Sequence, residues 1–494
     1  MAIKLNYSSL ELLPENVAVP GYDRKSIHPG IVHIGVGNFH RAHQAVYLDR
    51  LFNLGLDHDW GLLGAGVMPS DASMRQKLQS QDWLTTVVDL DEKGHTARVC
   101  GSMIGFVEPN PGSLIEALTQ PEIRIVSLTI TEGGYFLDEK TGGVKFNHPD
   151  LQYDIDHPDS PRSVFGILAF SLEVRRNSGL DPFTVVSCDN LPHNGQMTQR
   201  TLIGLANLMK PKLGDWIEEE IAFPNSMVDC ITPATSQQEQ SKFRDLFGID
   251  DAAPVFCEPF RQWVIEDNFP QGRPAFEKVG VQFVDDVAPY ELIKLRILNG
   301  GHAAIAFPAA LLLFHYVHEA VEDKTIQSYL NKIVVEEVIP TLEPVPGLSF
   351  EDYFKQVIHR FSNPKIGDTI SRLCRDSSNR LPKFIFPIIA ANIESNRPCL
   401  GLSMVVAFWC QYCAAAAAEI NNIELVDEQS ERLKRQALLA QNNPAAFLEM
   451  EDIFGSLATH PAFVEQFTKA MKVLTRDGIN KSMQSYSSTG ISSL

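Results

Sequence analysis

Short apolar runs recur through the first half of the chain, each rich in β-branched residues and bounded by turn-forming ones. They occupy residues 31–34, 60–67, 123–130 and 183–187, with helical or hairpin segments between them. Strands that alternate with helices are typical of a parallel sheet with helices on its faces. The pattern therefore predicts an α/β fold with a doubly wound sheet in this half.

The pattern changes near residue 286, where long apolar stretches of helix length replace the short runs. These stretches cover residues 292–313, 326–339, 353–361 and 400–420. No internal repeat or low-complexity linker separates the two halves. We expect a Rossmann-type domain over residues 1–285, a mostly α-helical C-terminal domain over residues 286–494, and a reaction cleft between them.

Charge and composition exclude several classes of function. The 494 residues include 42 Lys and Arg against 61 Asp and Glu, a formal net charge of -19. Such a surface repels phosphate backbones and anionic lipids, so neither nucleic-acid nor membrane partners are expected. Apolar stretches at residues 303–317 and 399–418 carry Pro, His, Ser or Gln and are predicted to be buried helices. The start of the chain lacks the apolar core of a secretory signal, which favours the cytoplasm.

Neither histidine nor cysteine spacing predicts a metal site. His40 and His43 form an HxxH pair with no third ligand in view, so we interpret them as capping or packing residues. Cys410 and Cys413 form the one CxxC pair, and we interpret them as reduced thiols on a buried helix. We therefore predict no metal.

The first apolar run leads into a glycine-rich turn followed by a helical segment. Gly35 allows a tight turn, and Gly37 leaves room for a pyrophosphate beside the helix N-terminus. His40 stands where the third glycine of the usual dinucleotide motif would be. Asp71, after the second run, is the candidate acid for the ribose hydroxyls and favours NAD over NADP. The predicted cofactor contacts are Ile34, Gly35, Val36, Gly37, Asn38, Phe39, His40 and Asp71.

Residues 290–302 place polar groups in an otherwise apolar helical segment. On an ideal α-helix Lys294, Asn299 and His302 share one broad face. Burying these groups is unfavourable unless each has a partner, so stability alone does not explain them. Lys294 is a candidate base for oxidation of a secondary alcohol, provided that burial and a nicotinamide ring lower its pKa. Tyr290 and Lys294 also have the Tyr-x-x-x-Lys spacing of short-chain dehydrogenases, in which the tyrosine is the base.

Asn190 follows the fourth apolar run, at a strand end where α/β sheets bind ligands, and could donate to a developing alkoxide. Six segments, in order and at matching overall length, make the chain resemble the polyol-specific long-chain dehydrogenases. These segments are GVGNFHRAHQ (35–44), SLTITEGGY (127–135), SCDNLPHNG (187–195), PNSMVD (224–229), CEPF (257–260) and KLRILNGGH (294–302).

The resemblance implies metal-independent, NAD-linked interconversion of D-mannitol and D-fructose. It implies that Lys294 is the base, that Asn190 and Asn299 form an oxyanion hole, and that His302 binds substrate. Glu132 resembles the family's acid that communicates with a water chain carrying the base's proton to solvent. The expected partner is a small polyol or ketose, and the expected state is a monomer or a small homo-oligomer.

Substrate choice depends on further positions. The resemblance implies substrate contacts at Asp229 and Arg372, and at Arg380, where relatives often carry lysine. Fructuronate or tagaturonate reductase and arabinitol dehydrogenase activities of the same family remain alternatives. Arg261 could pair with a sugar acid, although we favour a structural ion pair. A nucleotide-sensing protein without catalysis is the alternative from another class.

Overall fold

The computed structural model describes residues 2–138 and 142–488 of the chain. The chain divides into two compact units, Met1–Ala288 and Pro289–Leu494. The strands of the described residues all lie in the first unit. They are β1 (Ile3–Lys4), β2 (Val17–Ala18), β3 (Pro29–Ile34), β4 (Gly61–Ala65), β5 (Thr85–Asp91), β6 (Gly94–Cys100), β7 (Met103–Phe106), β8 (Ile125–Leu128), β9 (Thr184–Ser187), β10 (Ser226–Asp229), β11 (Ile249–Asp250), β12 (Val255–Cys257), β13 (Gln262–Glu266) and β14 (Gln282–Val284).

Helices connect these strands. They are α1 (Asn38–Ala42), α2 (Gln44–Asn53), α3 (Pro69–Gln79), α4 (Pro111–Leu118), α5 (Pro149–Asp156), α6 (Val164–Asn177), α7 (Asn194–Met209), α8 (Leu213–Glu220) and α9 (Gln237–Phe247). Short 3-10 helices lie at Tyr7–Leu12, Arg24–Ser26, Glu132–Tyr135 and Phe276–Val279.

The main sheet of the first unit has five parallel strands in the order β7-β4-β3-β8-β9. This order, with the first strand of the motif at the centre, is typical of dinucleotide-binding folds. Successive residues of β3 point to opposite faces: Ile31 packs into one apolar core, and Val32 and Ile34 pack into the other. The predicted doubly wound sheet is confirmed, and its centre lies where the strand order reverses.

Three small sheets were not predicted. One has the order β12-β5-β6-β2, another has the order β10-β13-β14, and the third pairs β1 with β11. Apart from the local hairpin of β5 and β6, most of their strands are short and pair with partners far away in the sequence. Ser226 at the start of β10, for example, pairs with Ile265 of β13. Local patterns carry little information about such pairings.

The second unit is helical, as predicted. The first of its helices, α10 (Ala288–Ile293), begins at the last residue of the first unit. The other helices of its described residues are α11 (Gly300–Leu311), α12 (Val317–Glu322), α13 (Lys324–Ile333), α14 (Phe350–Phe361), α15 (Ile370–Cys374), α16 (Ser377–Phe384), α17 (Phe386–Glu394), α18 (Leu400–Ala417), α19 (Ser430–Ala440), α20 (Glu451–Phe454) and α21 (Pro461–Ser488). π-helical turns lie at Lys294–Asn299 and Val334–Val338. Further 3-10 helices lie at Ile339–Thr341, Ile420–Asn422, Pro444–Glu449 and Gly455–Thr459.

Helix α18 forms the core of the second unit. By length and composition it is the one helix of the described residues that could cross a membrane, yet 83% of that stretch is buried inside the protein. It packs against α11, α19 and α21. Cys410 and Cys413 are buried free thiols on this helix, in agreement with our interpretation of the CxxC pair. These contacts are those of a core helix.

Candidate active site

The turn after β3 has the geometry that the glycines predicted. Gly35 adopts a φ of 102°, and a Cβ built there would lie 2.1 Å from the carbonyl oxygen of Thr129. Only glycine fits this position without strain. A Cβ on Gly37, in contrast, would meet nothing within 4 Å. The open space beside Gly37, next to the start of α1, fits the close approach of a dinucleotide pyrophosphate.

Behind this turn the histidines pack against other side chains. The His40 ring is fully buried and stacks on His33, with centroids 3.4 Å apart. His43 stacks on Phe39, and its Nε2 lies 2.8 Å from the carbonyl oxygen of Gln262. This supports packing roles for His40 and His43. Since the His40 side chain is buried, it faces the core and not the open space beside the turn.

The other predicted cofactor contacts divide by exposure. The side chains of Ile34 and Val36 are buried, whereas Gly37 is exposed and Asn38 and Phe39 are half-buried. The Asn38 side-chain oxygen accepts a hydrogen bond of 2.9 Å from the Arg41 guanidinium. Gly37 and the half-buried Asn38 and Phe39 are therefore the most accessible of these residues.

Asp71 belongs to a helix, but its carboxylate lies beside the end of the second strand, where we expected the ribose acid. Strand β4 ends at Ala65, and Asp71 lies in the first turn of α3. Its Oδ2 accepts a hydrogen bond of 2.8 Å from the backbone N–H of Met68. The carboxylate therefore caps α3. It also lies against Gly66, the residue directly after β4, where a Cβ would lie 2.2 Å from Asp71 Cγ. Binding of the ribose by Asp71 stays a prediction.

A buried carboxylate joins the ends of β8 and β9. Asp189 accepts hydrogen bonds from the backbone N–H groups of Ile130 (3.0 Å) and Thr131 (2.8 Å) and from the Tyr135 hydroxyl (2.8 Å). Burial raises the pKa of Asp189, while these three donors oppose the rise. Asp189 thereby holds the turn that presents Glu132, and Asn190 directly follows it in the chain.

The turn held by Asp189 is strained. Thr131 adopts φ 63° and ψ 167°, a region that β-branched residues rarely enter and that costs about 1–3 kcal/mol. His193, three residues after Asn190, also has a positive φ of 49°. Such strain concentrates at functional sites. The two strand ends with the predicted residues Glu132 and Asn190 are thus the distorted part of the sheet edge.

Asp229 is the last residue of β10 and is buried. It belongs to the sheet β10-β13-β14, where it pairs with Gln262 of β13. This pairing gives Asp229 a fixed backbone position.

Lys294 and Asn299 are the first and last residues of a π-helical turn between α10 and α11. Hydrogen bonds in a π-helix join residues five apart, so residues at this spacing come closer to one side of the helix than in an α-helix. The ideal α-helical projection was therefore wrong in detail for this pair. π-helical turns are rare and occur frequently at functional sites.

His302 follows on α11 and is buried against charged neighbours. Its ring stacks on Phe361 with centroids 3.9 Å apart, and its Nε2 lies 4.0 Å from Asp368 Oδ2. Burial, together with nearby Arg372, Arg380 and Arg360, lowers the pKa of His302 well below its ordinary value. The lowered pKa favours the neutral imidazole, which is suited to hydrogen bonding with a hydroxyl.

The two predicted arginines have different partners. Arg372 makes a two-point ion pair with Asp368, at 2.5 and 2.6 Å. Arg380 donates from Nη1 to the carbonyl oxygen of Leu373 at 2.8 Å and so caps the end of α15. Both arginines lie close enough to His302 to affect its pKa, and their contacts with substrate stay a prediction.

Arg261 is held inside the first unit. It donates to Asp89 Oδ1 at 2.5 Å and to the carbonyl oxygen of Ala42 at 2.6 Å, and 2% of its side chain is exposed. It is the structural ion pair that we favoured. The described residues hold no group of three or more His, Cys, Asp or Glu side chains arranged to bind a metal.

Comparisons with known proteins identify the family of the chain. The family model described as mannitol dehydrogenase Rossmann domain matches residues 29–278, and the mannitol dehydrogenase C-terminal domain matches residues 286–475. The chain belongs to the mannitol dehydrogenase family. Membership removes the basis for the short-chain dehydrogenase alternative at Tyr290.

Individual members of the mannitol dehydrogenase family match almost end to end. Mannitol 2-dehydrogenase of Cereibacter sphaeroides is 50% identical over 94% of this chain and 98% of its own. The enzyme of the same name from Aspergillus clavatus is 43% identical over 95% of each chain.

Two solved structures share the fold. Pseudomonas fluorescens mannitol 2-dehydrogenase, in ternary complex with NAD and D-mannitol, is 41% identical over 98% of this chain and 99% of its own, with a TM-score of 0.84. A D-sorbitol dehydrogenase in substrate-free form is 33% identical over 97% of this chain and all of its own, with a TM-score of 0.89.

Two residues of the site were not found from the sequence. Asp189 stands at a strand end beside Asn190, a position at which α/β sheets place ligand-binding groups. Asp368 lies four residues before Arg372, a spacing at which opposite charges meet on helices. Either signal would have drawn attention to these carboxylates.

Proposed function

We propose that this chain is an NAD-dependent polyol oxidoreductase that interconverts D-mannitol and D-fructose. The observation that carries the proposal is the 41% identity, over 98% of the chain, to a mannitol 2-dehydrogenase solved with NAD and D-mannitol. The residues at the two strand ends and on the π-helical turn are of the types that such a reaction needs.

The turn at Gly35 supports the cofactor part of the proposal. NAD⁺, when bound, accepts a hydride from the carbon that carries the reacting hydroxyl. The exposed backbone at Gly37 would hold the pyrophosphate in the open space beside it, which a side chain at this position would fill. Asp71 would reach the ribose only with the oxygen that does not cap α3.

The proton is removed by the chain itself. Oxidation of a secondary alcohol to a ketone releases one hydride and one proton, and Lys294 in its neutral form accepts that proton from the hydroxyl. Asn190 and Asn299 donate hydrogen bonds to the oxygen as negative charge develops on it. Neutral His302 binds a substrate hydroxyl, and Glu132 passes the proton from Lys294 towards solvent.

No metal takes part in the proposed mechanism. Two amides and a lysine can stabilise the alkoxide and remove its proton without a Lewis acid. Dialysis against a chelator should leave kcat/KM for D-fructose unchanged. A loss of activity that a divalent cation restores would contradict metal independence.

The sugar-acid alternative finds less support. Arg261, the residue that could have bound a carboxylate, is already paired with Asp89 and almost fully buried. The match to a D-sorbitol dehydrogenase favours another polyol as the second candidate substrate.

A substrate panel tests the proposal. D-Mannitol, D-sorbitol and D-arabinitol with NAD⁺, and D-fructose and D-fructuronate with NADH, are compared by NADH absorbance, with NADP(H) in parallel. We expect the highest kcat/KM for the D-mannitol and D-fructose pair with NAD(H). NADH binding without turnover of any of these compounds would favour the sensing alternative and contradict the proposal.

A further inference from the structure

The charges around His302 are arranged asymmetrically. Three arginines, Arg372, Arg380 and Arg360, act on its ring. One carboxylate, Asp368, lies 4.0 Å from its Nε2, and 11% of that carboxylate side chain is exposed. This carboxylate makes a two-point ion pair with Arg372, whose side chain is 53% exposed. A cation at the edge of the candidate site is therefore already neutralised by the protein.

The position of Asp368 is fixed by the backbone. Its carbonyl oxygen accepts a hydrogen bond of 2.9 Å from the N–H of Val317, and the next residue, Thr369, caps α15 through a bond of 3.2 Å to the N–H of Arg372. Asp368 thus lies two residues before α15 and Arg372 is the third residue of that helix, and their pairing uses both carboxylate oxygens. A bidentate pair of this kind uses two of the five guanidinium hydrogens and neutralises the positive charge that would attract another anion.

We infer that Asp368 is a selectivity residue that excludes sugar acids by occupying Arg372. An uncharged polyol or ketose loses no affinity through this pairing, because it needs hydrogen-bond donors and not a net positive charge. A sugar that carries a carboxylate meets a carboxylate beside the arginine that would otherwise bind it, and juxtaposed like charges disfavour the wrong ligand. The inference rests on the proposed function, since it concerns the choice of substrate at the same site.

The test is the ratio of kcat/KM for D-fructuronate to kcat/KM for D-fructose, both with NADH. Asp368→Asn keeps the size of the side chain and removes its charge. We expect this ratio to rise at least about tenfold, which corresponds to about 1.4 kcal/mol. The gain should appear in KM for D-fructuronate and weaken with added salt, because it arises from charge attraction. A purely structural role for Asp368 would lower both activities together.

Two further variants keep the test decisive. Arg372→Gln leaves Asp368 unpaired, so the ratio should fall below that of the wild type, even if Asp368→Asn does not fold. Asp452→Asn is the matched control, because it breaks a similar two-point pair with Arg432, at 2.5 and 2.6 Å, in α19 and α20. This control should leave the ratio unchanged.

The outcomes separate this inference from the proposed function. The role of Asp368 alone is overturned if the wild type reduces D-fructose and the ratios of the variants stay within about twofold of the wild-type ratio. A change of about twofold corresponds to a free energy well under half of the roughly 1.4 kcal/mol expected. An equal rise in the Asp452→Asn control overturns it as well. A folded wild type that reduces neither sugar overturns the proposed function and this inference with it.

Discussion

Replacement of Asp189 by Asn should loosen the turn that presents Glu132. The carboxylate accepts from three donors, and Asn retains one acceptor oxygen. The Tyr135 hydroxyl can reverse its role and accept from the new NH₂ group, but one backbone N–H, that of Ile130 or Thr131, loses its acceptor. A lost bond to a charged group and a buried donor without a partner together cost about 2–4 kcal/mol.

Hydrogen exchange followed by mass spectrometry measures this loss where it occurs. A loss of about 2–4 kcal/mol corresponds to amide exchange about 30- to 1,000-fold faster in a peptide that covers Ile130 and Thr131. Displacement of Glu132 should lower kcat/KM by about 10²-fold, because small misplacements near reacting groups carry a cost of this size. Thr131→Gly should relieve the backbone strain and leave the wild-type turn at least as stable.

Asp154→Asn is the matched control for Asp189→Asn. Asp154 is also a buried carboxylate of the first unit, and it accepts from the N–H groups of Arg162 (2.7 Å) and Ser163 (3.2 Å). Its replacement should cost stability and leave kcat/KM unchanged. The reasoning is refuted if Asp189→Asn exchanges its turn amides at the wild-type rate, or if both variants lose the same activity.

Two further predictions concern stability and cofactor binding. Burial raises the pKa of Glu337 from 4.5 to about 7. Its stabilising contribution is therefore present below about pH 4.5 and is lost as the pH rises through about 7. The melting temperature of the wild type relative to that of Glu337→Gln should fall over this pH range, and a constant difference would contradict the shift. Gly35→Ala should destabilise the fold, because its Cβ would lie 2.1 Å from the carbonyl oxygen of Thr129. Gly37→Ala should melt like the wild type and bind NADH more weakly in a fluorescence titration. A wild-type melting temperature for Gly35→Ala, or wild-type NADH affinity for Gly37→Ala, would contradict this.

The main sheet was predictable because its strands are buried on both faces and therefore appear as continuous apolar runs. The glycine turn was predictable as well, since Gly35 needs a backbone conformation that few other residues adopt. Helix α18 was predicted from an uncharged stretch of helical length. In each case the signal lies in neighbouring residues.

The remaining features depend on contacts between distant parts of the chain. Strand β10, which ends at Asp229, exists because it pairs with β13 more than thirty residues later. Asp189 gains its role from donors about sixty residues earlier. The π-helical turn at Lys294 changes the spacing on which the helical projection relied. None of these can be obtained from periodicity, because the partner is not part of the local pattern.

The measurement that tests the central claim most directly is the turnover of Lys294→Ala compared with its NADH affinity. Loss of a general base should lower kcat for D-mannitol oxidation by about 10²–10⁴-fold, while the dissociation constant for NADH stays at the wild-type value. Lys355→Ala, which removes an exposed lysine paired with Asp352 at 2.8 Å, should retain full turnover. Wild-type turnover by Lys294→Ala would contradict the proposed chemistry.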